Sequence, residues 1–208
     1  MKVLLINGSA KEKGCTYTAL AEVERILHKE GVDAEIAWIG TKPVSDCIGC
    51  GQCNAKHPGC IFEDDCVNGL IEKAKEADGF VFGTPVYYAH PTGRILSVLD
   101  RMFFSAKSVF LHKPGAAVAS ARRAGTTASF DVLNKYFTIA EMPVVSSSYW
   151  NMVHGSKPED VLQDKEGLQI MRNLGRNMAW LLKCIEAGKN QNVFVPENEY
   201  KEKTGFIR

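Results

Sequence analysis

Residues 2–16 have the sequence KVLLINGSAKEKGCT. The apolar run Val3–Ile6 predicts a buried β-strand over Lys2–Asn7, because nearly continuous apolar residues are typical of strands covered on both faces. The glycine- and lysine-containing loop that follows leads into a helix over about residues 16–30, whose apolar side chains recur on one face. A buried strand that passes through a short loop into an amphipathic helix predicts an α/β protein.

Apolar strands and amphipathic helices alternate along the rest of the chain. Five such strands separated by helices predict a doubly wound, five-stranded parallel sheet of order 2-1-3-4-5, with helices on both faces. Residues 1–208 are expected to form one domain, with a cysteine-rich loop at 43–66 and a C-terminal helix plus tail at 165–208. The later strands are expected at about 33–39, 79–83, 116–120 and 144–149, and the later helices at about 70–77, 93–106, 127–140 and 165–187.

The composition is ordinary for a soluble globular protein. The 208 residues include 25 Lys and Arg, 24 Asp and Glu, and 45% hydrophobic residues, which excludes a disordered or fibrous protein. The net charge of +1 gives no electrostatic reason to expect nucleic acid or an anionic membrane as a partner. No apolar run approaches the roughly 20 residues of a membrane span, and the N-terminal run is too short for a signal peptide. We therefore expect a cytoplasmic protein without a nucleic-acid or membrane partner.

Three loops lie where a sheet of this order binds ligands, beyond the carboxyl ends of its first and third strands. The first loop places Ser9, Thr16 and several backbone N–H groups at a helix N-terminus, where a phosphate is favoured, and Lys11 adds a positive charge. The alternative is an ordinary strand–helix turn with Thr16 as its N-cap. The three loops, all rich in Gly, Ser, Thr or Pro, are Gly8–Thr16, Thr84–Tyr88 and Ser120–Gly125.

Cysteines are concentrated in one part of the chain. Five of the seven fall within residues 47–66, and without an export signal they are expected to be reduced. The pattern Cys47-x2-Cys50-x2-Cys53-x6-Cys60 is typical of a short loop that wraps a cubane iron–sulfur cluster. Zinc fits less well, because four-thiolate zinc sites usually pair two separate C-x-x-C knuckles. Unligated thiols are the other alternative, and Cys184 is expected to be a core thiol.

Short motifs also occur in a fixed order over about residues 1–125. They are Asn7-Gly8-Ser9 with Thr16, the cysteines Cys47, Cys50 and Cys53, then Asp64-Asp65, Gly83–Tyr87 and Leu99-Asp100-Arg101. In this order and spacing the sequence resembles the NADPH-dependent FMN reductase family, and more narrowly its iron–sulfur flavoprotein branch. The resemblance implies a flavodoxin-like fold, bound FMN, and homodimers or tetramers.

The resemblance also implies roles for individual residues. Those that would hold the FMN phosphate are Ser9, Lys11, Thr16 and Cys15, which stands where the family usually has Asn. Those that would line the isoalloxazine are Pro85, Val86, Tyr87 and Tyr88, with Ser120, Arg122, Arg123 and Gly125 from the third loop. Arg122 and Arg123 would either face the N1/O2 edge of the flavin or be solvated surface charges. A [4Fe–4S] cluster would be held by Cys47, Cys50, Cys53 and Cys60.

The predicted function is that of an FMN-dependent oxidoreductase. It would take electrons from NAD(P)H to a quinone, a free flavin or another acceptor, directly or through the cluster. No catalytic side chain is assigned, because the flavin carries the chemistry and the protein supplies placement and electrostatics. The alternative is a non-enzymatic, flavodoxin-type electron carrier between protein partners. Such carriers tend to be strongly acidic, so the balanced charge favours the enzyme.

Overall fold

A parallel sheet lies at the centre of the computed structural model, which describes residues 1–53, 58–199, 202 and 204–206. Residues 54–57 of the cysteine-rich loop and residues 200, 201, 203, 207 and 208 of the tail lie outside the described residues. The strands are β1 (Lys2–Asn7), β2 (Asp33–Trp38), β3 (Gly79–Tyr87), β4 (His90–Pro91), β5 (Gly115–Ala121) and β6 (Met152–His154). The helices are α1 (Cys15–Lys29), α2 (Val67–Lys75), α3 (Gly93–Phe110), α4 (Thr126–Ile139), α5 (Pro158–Gln163) and α6 (Lys165–Asn190).

The strand order agrees with the sequence prediction. The parallel strands are arranged β2-β1-β3-β5-β6, and the short β4 pairs with the end of β3 in an antiparallel hairpin. With this hairpin strand set aside, the order is the predicted 2-1-3-4-5, so the doubly wound fold is confirmed. Asn7 at the end of β1 is in register with Gly83 of β3. The loop after β1 therefore starts beside the second half of β3, at the switch point where ligands bind in such sheets. The prediction of a loop over Thr84–Tyr88 is wrong for Thr84–Tyr87, which extend β3 because Thr84 and Pro85 still pair with β5.

The last strand differs from the prediction, which placed it over about residues 144–149. Val144 forms a single parallel bridge with Gly115, and the chain then leaves the sheet. It returns only at β6, where Met152 pairs with Ala119. The outer segment from Val144 to Met152 is therefore twice as long as the segment of β5 that it faces, from Gly115 to Ala119.

We call the intervening segment, residues 146–151, the detour. Two of its polar groups are bound outside the sheet by helix α6. The Nδ2 group of Asn173 donates to Ser148 Oγ at 2.8 Å, and that of Asn177 donates to the carbonyl of Ser146 at 2.8 Å. The Ser146 carbonyl is thus paired with a side chain of α6 instead of with a neighbouring strand, so this segment does not need to continue the ladder.

Helices cover both faces of the sheet, as predicted. Side chains alternate along β1: Leu4 and Ile6 pack with α2, α3 and α4, while Val3 and Leu5 pack with α1 and α6. All four are fully buried, and each such burial stabilises the fold by about 1.5–3 kcal/mol. No described helix combines the length and the apolar character that a bilayer crossing requires. The two buried clusters thus pack on opposite faces of β1, and the chain leaves its carboxyl end as a loop at the edge of the sheet.

Candidate functional site

The loop between β1 and α1 is fixed by the side chain of Asn7. Its Oδ1 accepts a hydrogen bond from the Ser9 amide at 3.1 Å, and its Nδ2 donates to the Glu12 carbonyl at 2.8 Å. Ser9 Oγ in turn accepts from the Lys11 amide at 3.1 Å. Because Asn7 is fully buried at the end of a central strand, it anchors the loop to the most rigid part of the sheet.

The N-terminus of α1 faces this loop with its amides available. Gly14 is the N-cap and receives no side-chain capping bond from a described residue. The Thr16 hydroxyl is buried and lies 2.8 Å from Ser120 Oγ, so Thr16 is not the N-cap that the alternative reading of the loop required. The first-turn amides of a helix have no intrahelical partner and carry the positive end of its dipole. This helix start is therefore suited to an anion.

A cleft of about 330 Å³ opens beyond the carboxyl ends of β1, β3 and β5. This volume lies within the range of small-ligand sites. The residues predicted for the flavin site that line it are Ser9, Lys11, Cys15, Thr16, Pro85, Val86, Tyr87, Ser120 and Arg122. The fold thus brings residues from all three predicted loops to one cleft.

Three further predicted residues are not among the described residues that line this cleft. Tyr88 is fully exposed and has a positive φ of 51°. Arg123 is also exposed. Gly125 has a φ of 92°, and a Cβ there would lie 2.5 Å from Ala89 Cα and 2.7 Å from Val86 Cγ1. Gly125 therefore lets the third loop pack closely on the second. The ligand contacts of Tyr88, Arg123 and Gly125 stay predictions.

Sequence reasoning missed part of the cleft. Gly155 and Ser156 line it directly after β6, and they were overlooked because the last strand was expected several residues earlier. The Cys15 thiol donates to the carbonyl of Gly155 at 3.6 Å. Burial raises the pKa of this thiol, which keeps it in the protonated form that can donate. The signal that could have located this side of the cleft is the Gly-Ser pair after the apolar Met152-Val153.

The four clustered cysteines line one small cavity. Cys47, Cys50, Cys53 and Cys60 line a common cavity of about 20 Å³, with Cys60 buried and Cys50 exposed. Gly49 has a φ of 63° in this loop, a conformation that allows sharp turns between closely spaced cysteines. Within the described residues, no three His, Cys, Asp or Glu side chains are arranged to hold a metal ion. Four cysteine thiols are the donor set that a four-iron cluster requires, so the residues match the predicted ligands in chemistry, and the cluster stays a prediction.

The prediction for Cys184 is wrong, since its thiol is exposed on α6. The buried stripe of this helix passes through Met178 and Leu182. Cys184 is two residues beyond Leu182, about 200° around the helix, and therefore lies on the opposite side.

A larger apolar cavity of about 490 Å³ lies between α3, α4 and the cysteine loop. Its walls include Phe103, Phe104 and Tyr136. The Tyr136 hydroxyl donates to Asp100, and burial together with this bond raises the pKa of the phenol. This cavity lacks a helix N-terminus among its described lining residues. The smaller cleft at α1 is therefore the better candidate for a phosphorylated ligand.

The residues of that cleft fit FMN. A helix start without an acidic residue in its first turn, two hydroxyls and the Lys11 ammonium suit the phosphate. The half-buried Pro85 and Val86 and the partly exposed Tyr87 offer apolar surface to a ring. Both parts of the ligand could thus be bound by one continuous surface.

Comparisons with known proteins identify the family and agree with the fold. The profile of the NADPH-dependent FMN reductase family matches residues 1–157. An iron–sulfur flavoprotein of Methanocaldococcus jannaschii is 30% identical over 198 residues, which cover 89% of this chain and 100% of the relative. The structure of RosB with the bound intermediate 8-demethyl-8-formylriboflavin-5'-phosphate has a TM-score of 0.71 at 14% identity, covering 100% of this chain and 94% of RosB. A flavodoxin from the domain Archaea has a TM-score of 0.60 at 15% identity, covering 88% of this chain and 99% of that one.

Proposed function

The chain belongs to the NADPH-dependent FMN reductase family, in its iron–sulfur flavoprotein branch, and we propose that it transfers electrons from NAD(P)H to a quinone, a free flavin or another acceptor. FMN would be the resident cofactor and a [4Fe–4S] cluster the second redox centre. The observation that carries this proposal is the cleft at the start of α1, where the loop after β1 and the carboxyl ends of β3 and β5 supply anion-binding and apolar groups to one volume.

Ser9, Lys11 and Thr16, with the first-turn amides of α1, would hold the phosphate of FMN. Bound there, FMN supplies hydride acceptance and the ability to release electrons one at a time. Pro85, Val86 and Tyr87 would support the ring by apolar contact. No described side chain is required as a nucleophile or a proton donor, so the contribution of the protein is placement and electrostatics.

Arg122 lines the same cleft as Lys11 and gives it a second cationic side chain. A cationic group in a partly enclosed cleft attracts anionic ligands and stabilises negative charge that develops on them. Arg122 is therefore the residue that we expect to favour the reduced, anionic form of a bound flavin. Tyr87 is exposed, which leaves room for a donor molecule to approach.

The second redox centre would be held by Cys47, Cys50, Cys53 and Cys60. Their common cavity and the similarity to an iron–sulfur flavoprotein support this assignment. A cluster passes one electron at a time, whereas NAD(P)H delivers a hydride. The pairing of a flavin with a cluster would therefore let the protein supply acceptors that take single electrons.

Purification without oxygen tests the proposal. We expect a coloured protein with one FMN, four irons and four acid-labile sulfides per chain, and we expect NADH or NADPH to reduce it rapidly with quinone or free flavin as acceptor. A colourless protein would overturn the assignment as a whole. A yellow protein without iron would remove the cluster and leave the reductase. Reduction by a protein donor alone, with neither nicotinamide active, would favour the electron carrier instead.

A further inference from the structure

Arg101 is the largest of the fully buried side chains, with 1% of its surface exposed. It lies on α3, in the wall of the cavity that the four clustered cysteines share. An isolated charge at such a position would be strongly destabilising, and buried charges are tolerated only when they are paired and hydrogen-bonded. The position of Arg101 therefore requires a specific set of partners.

Every N–H group of this guanidinium has an acceptor. An arginine carries five N–H donors in a fixed, planar fork. Nε donates to Cys60 Sγ at 3.1 Å, Nη1 to the Ser45 carbonyl at 3.2 Å, and Nη2 to the Phe62 carbonyl at 3.3 Å. The remaining two donors bind the two carboxylate oxygens of Asp65.

These partners lie on both sides of the cysteine set. Ser45 precedes the first of the four cysteines, Cys60 is the last, and Phe62 and Asp65 follow it. The guanidinium also lies over the Phe62 ring, 5.0 Å from its centroid. Burial would lower the pKa of Arg101, but the hydrogen bonds to Asp65 and Cys60 outweigh it and raise the pKa above its ordinary value. One permanently charged side chain thus ties both ends of the loop to helix α3.

We propose that Arg101 is the positioning residue of the cysteine site, which fixes the Cys60 sulfur and, through its Nε–H bond to that sulfur, makes a bound cluster easier to reduce. The second half of this inference rests on the cluster of the proposed function. Hydrogen bonds to ligand sulfurs are one of the terms that set cluster potentials, because they stabilise the more negative, reduced state. Asp65 offsets the net charge of Arg101, so the effect comes from the local N–H···S contact and not from long-range charge.

The matched control is Arg94, which lies two turns earlier on the same helix. It donates to the Gly40 carbonyl at 2.9 Å and to the Thr41 carbonyl at 3.2 Å. Arg94 therefore also ties α3 to loop backbone, but neither contact involves a cysteine. Replacing Arg94 with Gln reproduces the loss of charge and of loop anchoring without touching a sulfur.

The first measurement is the midpoint potential of the cluster in anaerobically prepared wild type, Arg101→Lys, Arg101→Gln and Arg94→Gln. Lysine keeps the charge but lacks the planar fork. We expect both Arg101 variants to shift the reduction equilibrium about tenfold toward the oxidised cluster, which is about 59 mV for a one-electron couple. Arg94→Gln should keep the wild-type potential. Equal potentials in all four proteins would overturn the effect on reduction.

The second measurement does not need iron. In the FMN-loaded, iron-free chain, iodoacetamide labelling followed by mass spectrometry compares buried Cys60 with exposed Cys184 in the same molecule. We expect Arg101→Gln and Arg101→Lys to speed the labelling of Cys60 at least tenfold relative to Cys184, while Arg94→Gln leaves the ratio unchanged. An unchanged ratio in both Arg101 variants would overturn the positioning role. A wild type that binds no iron would overturn the proposed cluster, yet this ratio would still decide the role of Arg101.

Discussion

The buried hydroxyls of Thr16 and Ser120 lie 2.8 Å apart and join the start of α1 to the end of β5. Ser9, also buried, holds the turn before α1 through its bond from the Lys11 amide. Each of these hydroxyls can serve both the protein and a phosphate, because a hydroxyl is a donor and a double acceptor. At the scale of single residues, the buried hydroxyls of Ser9, Thr16 and Ser120 thus fix the backbone segments that form the cleft.

Removing two of these hydroxyls should weaken FMN binding. We expect the double variant Ser9→Ala with Thr16→Ala to bind FMN about 5- to 150-fold more weakly, because each of the two lost hydrogen bonds contributes about 0.5–1.5 kcal/mol net. Quenching of flavin fluorescence during titration of the apoprotein measures the dissociation constant. The control is Thr138→Ala, an exposed hydroxyl on α4 that donates to the Lys135 carbonyl. Equal affinity in the double variant and the wild type would contradict the assignment of the phosphate to this loop.

A second prediction concerns the contact between two loops at Gly125. In Gly125→Ala the new methyl would meet Ala89 and Val86, and the residue would have to keep a φ of 92°. We expect a loss of about 1–3 kcal/mol in the free energy of unfolding, measured with urea, and weaker FMN binding. Gly93→Ala is the matched control, since nothing lies within 4 Å of its added Cβ. Equal stability of both variants would show that this close packing does not matter.

At the scale of elements, α1 and α6 form the layer that supports the cleft from one face. Their backbones approach closely at Gly175, where a Cβ would lie 2.9 Å from Ile26 Cβ and 3.1 Å from the Val23 carbonyl. Near this contact Glu22 accepts hydrogen bonds from Arg25 at 2.8 Å and from Arg172 of α6 at 3.0 Å. The second half of α1 is thus held by its packing on the longer α6.

This ion pair leads to a pH-dependent prediction. Hydrogen bonds from Arg25 and Arg172 hold the pKa of Glu22 below its ordinary value, despite the burial that opposes them. The stability that Glu22 contributes is therefore present above about pH 4.3, the ordinary pKa of glutamate, and is lost as the pH falls through the lower folded-state pKa. We expect Glu22→Gln to cost about 1 kcal/mol at pH 7, since solvent screens part of the pair, and to cost less at pH 4. Urea unfolding at the two pH values measures both.

Glu24 on the same helix provides the control. Burial raises the pKa of Glu24, so the charge of this carboxylate is less well accommodated in the folded protein than in the unfolded chain. Glu24→Gln should therefore cause no loss of stability at pH 7. If Glu22→Gln and Glu24→Gln behaved alike, the link between α1 and α6 would not depend on this carboxylate.

The elements that the sequence predicts best are those with a strong apolar pattern. β1, α1 and α6 begin within a residue of their expected positions, because buried faces impose a clear period on them. The outer strand was misplaced because the Ser146–Ser148 run is satisfied by Asn173 and Asn177, which are distant in sequence. The same error hid Gly155 and Ser156, so that one side of the cleft could not be predicted. The role of Arg101 was equally out of reach, since its partners span Ser45 to Asp65.

At the scale of the whole molecule, large apolar side chains remain exposed on the described surface. They include Phe104 on α3, Ile139 at the end of α4 and Trp180 on α6. Exposed apolar groups of this size favour association between proteins. We therefore expect a homodimer or a tetramer, and light scattering during gel filtration should give two or four times the 22.9 kDa chain mass. A mass of 22.9 kDa at micromolar concentration would contradict this expectation.

The detour at residues 146–151 affects whether two copies of the protein can associate through the outer edge of the sheet. It leaves β6 with only three residues of ladder at that rim of the sheet. A long, flat outer strand would be a template for the backbone of a neighbouring molecule, whereas a short and interrupted one is not. On this side the chain is thus protected against open-ended, amyloid-like stacking, and a closed complex is expected to use helical surfaces instead.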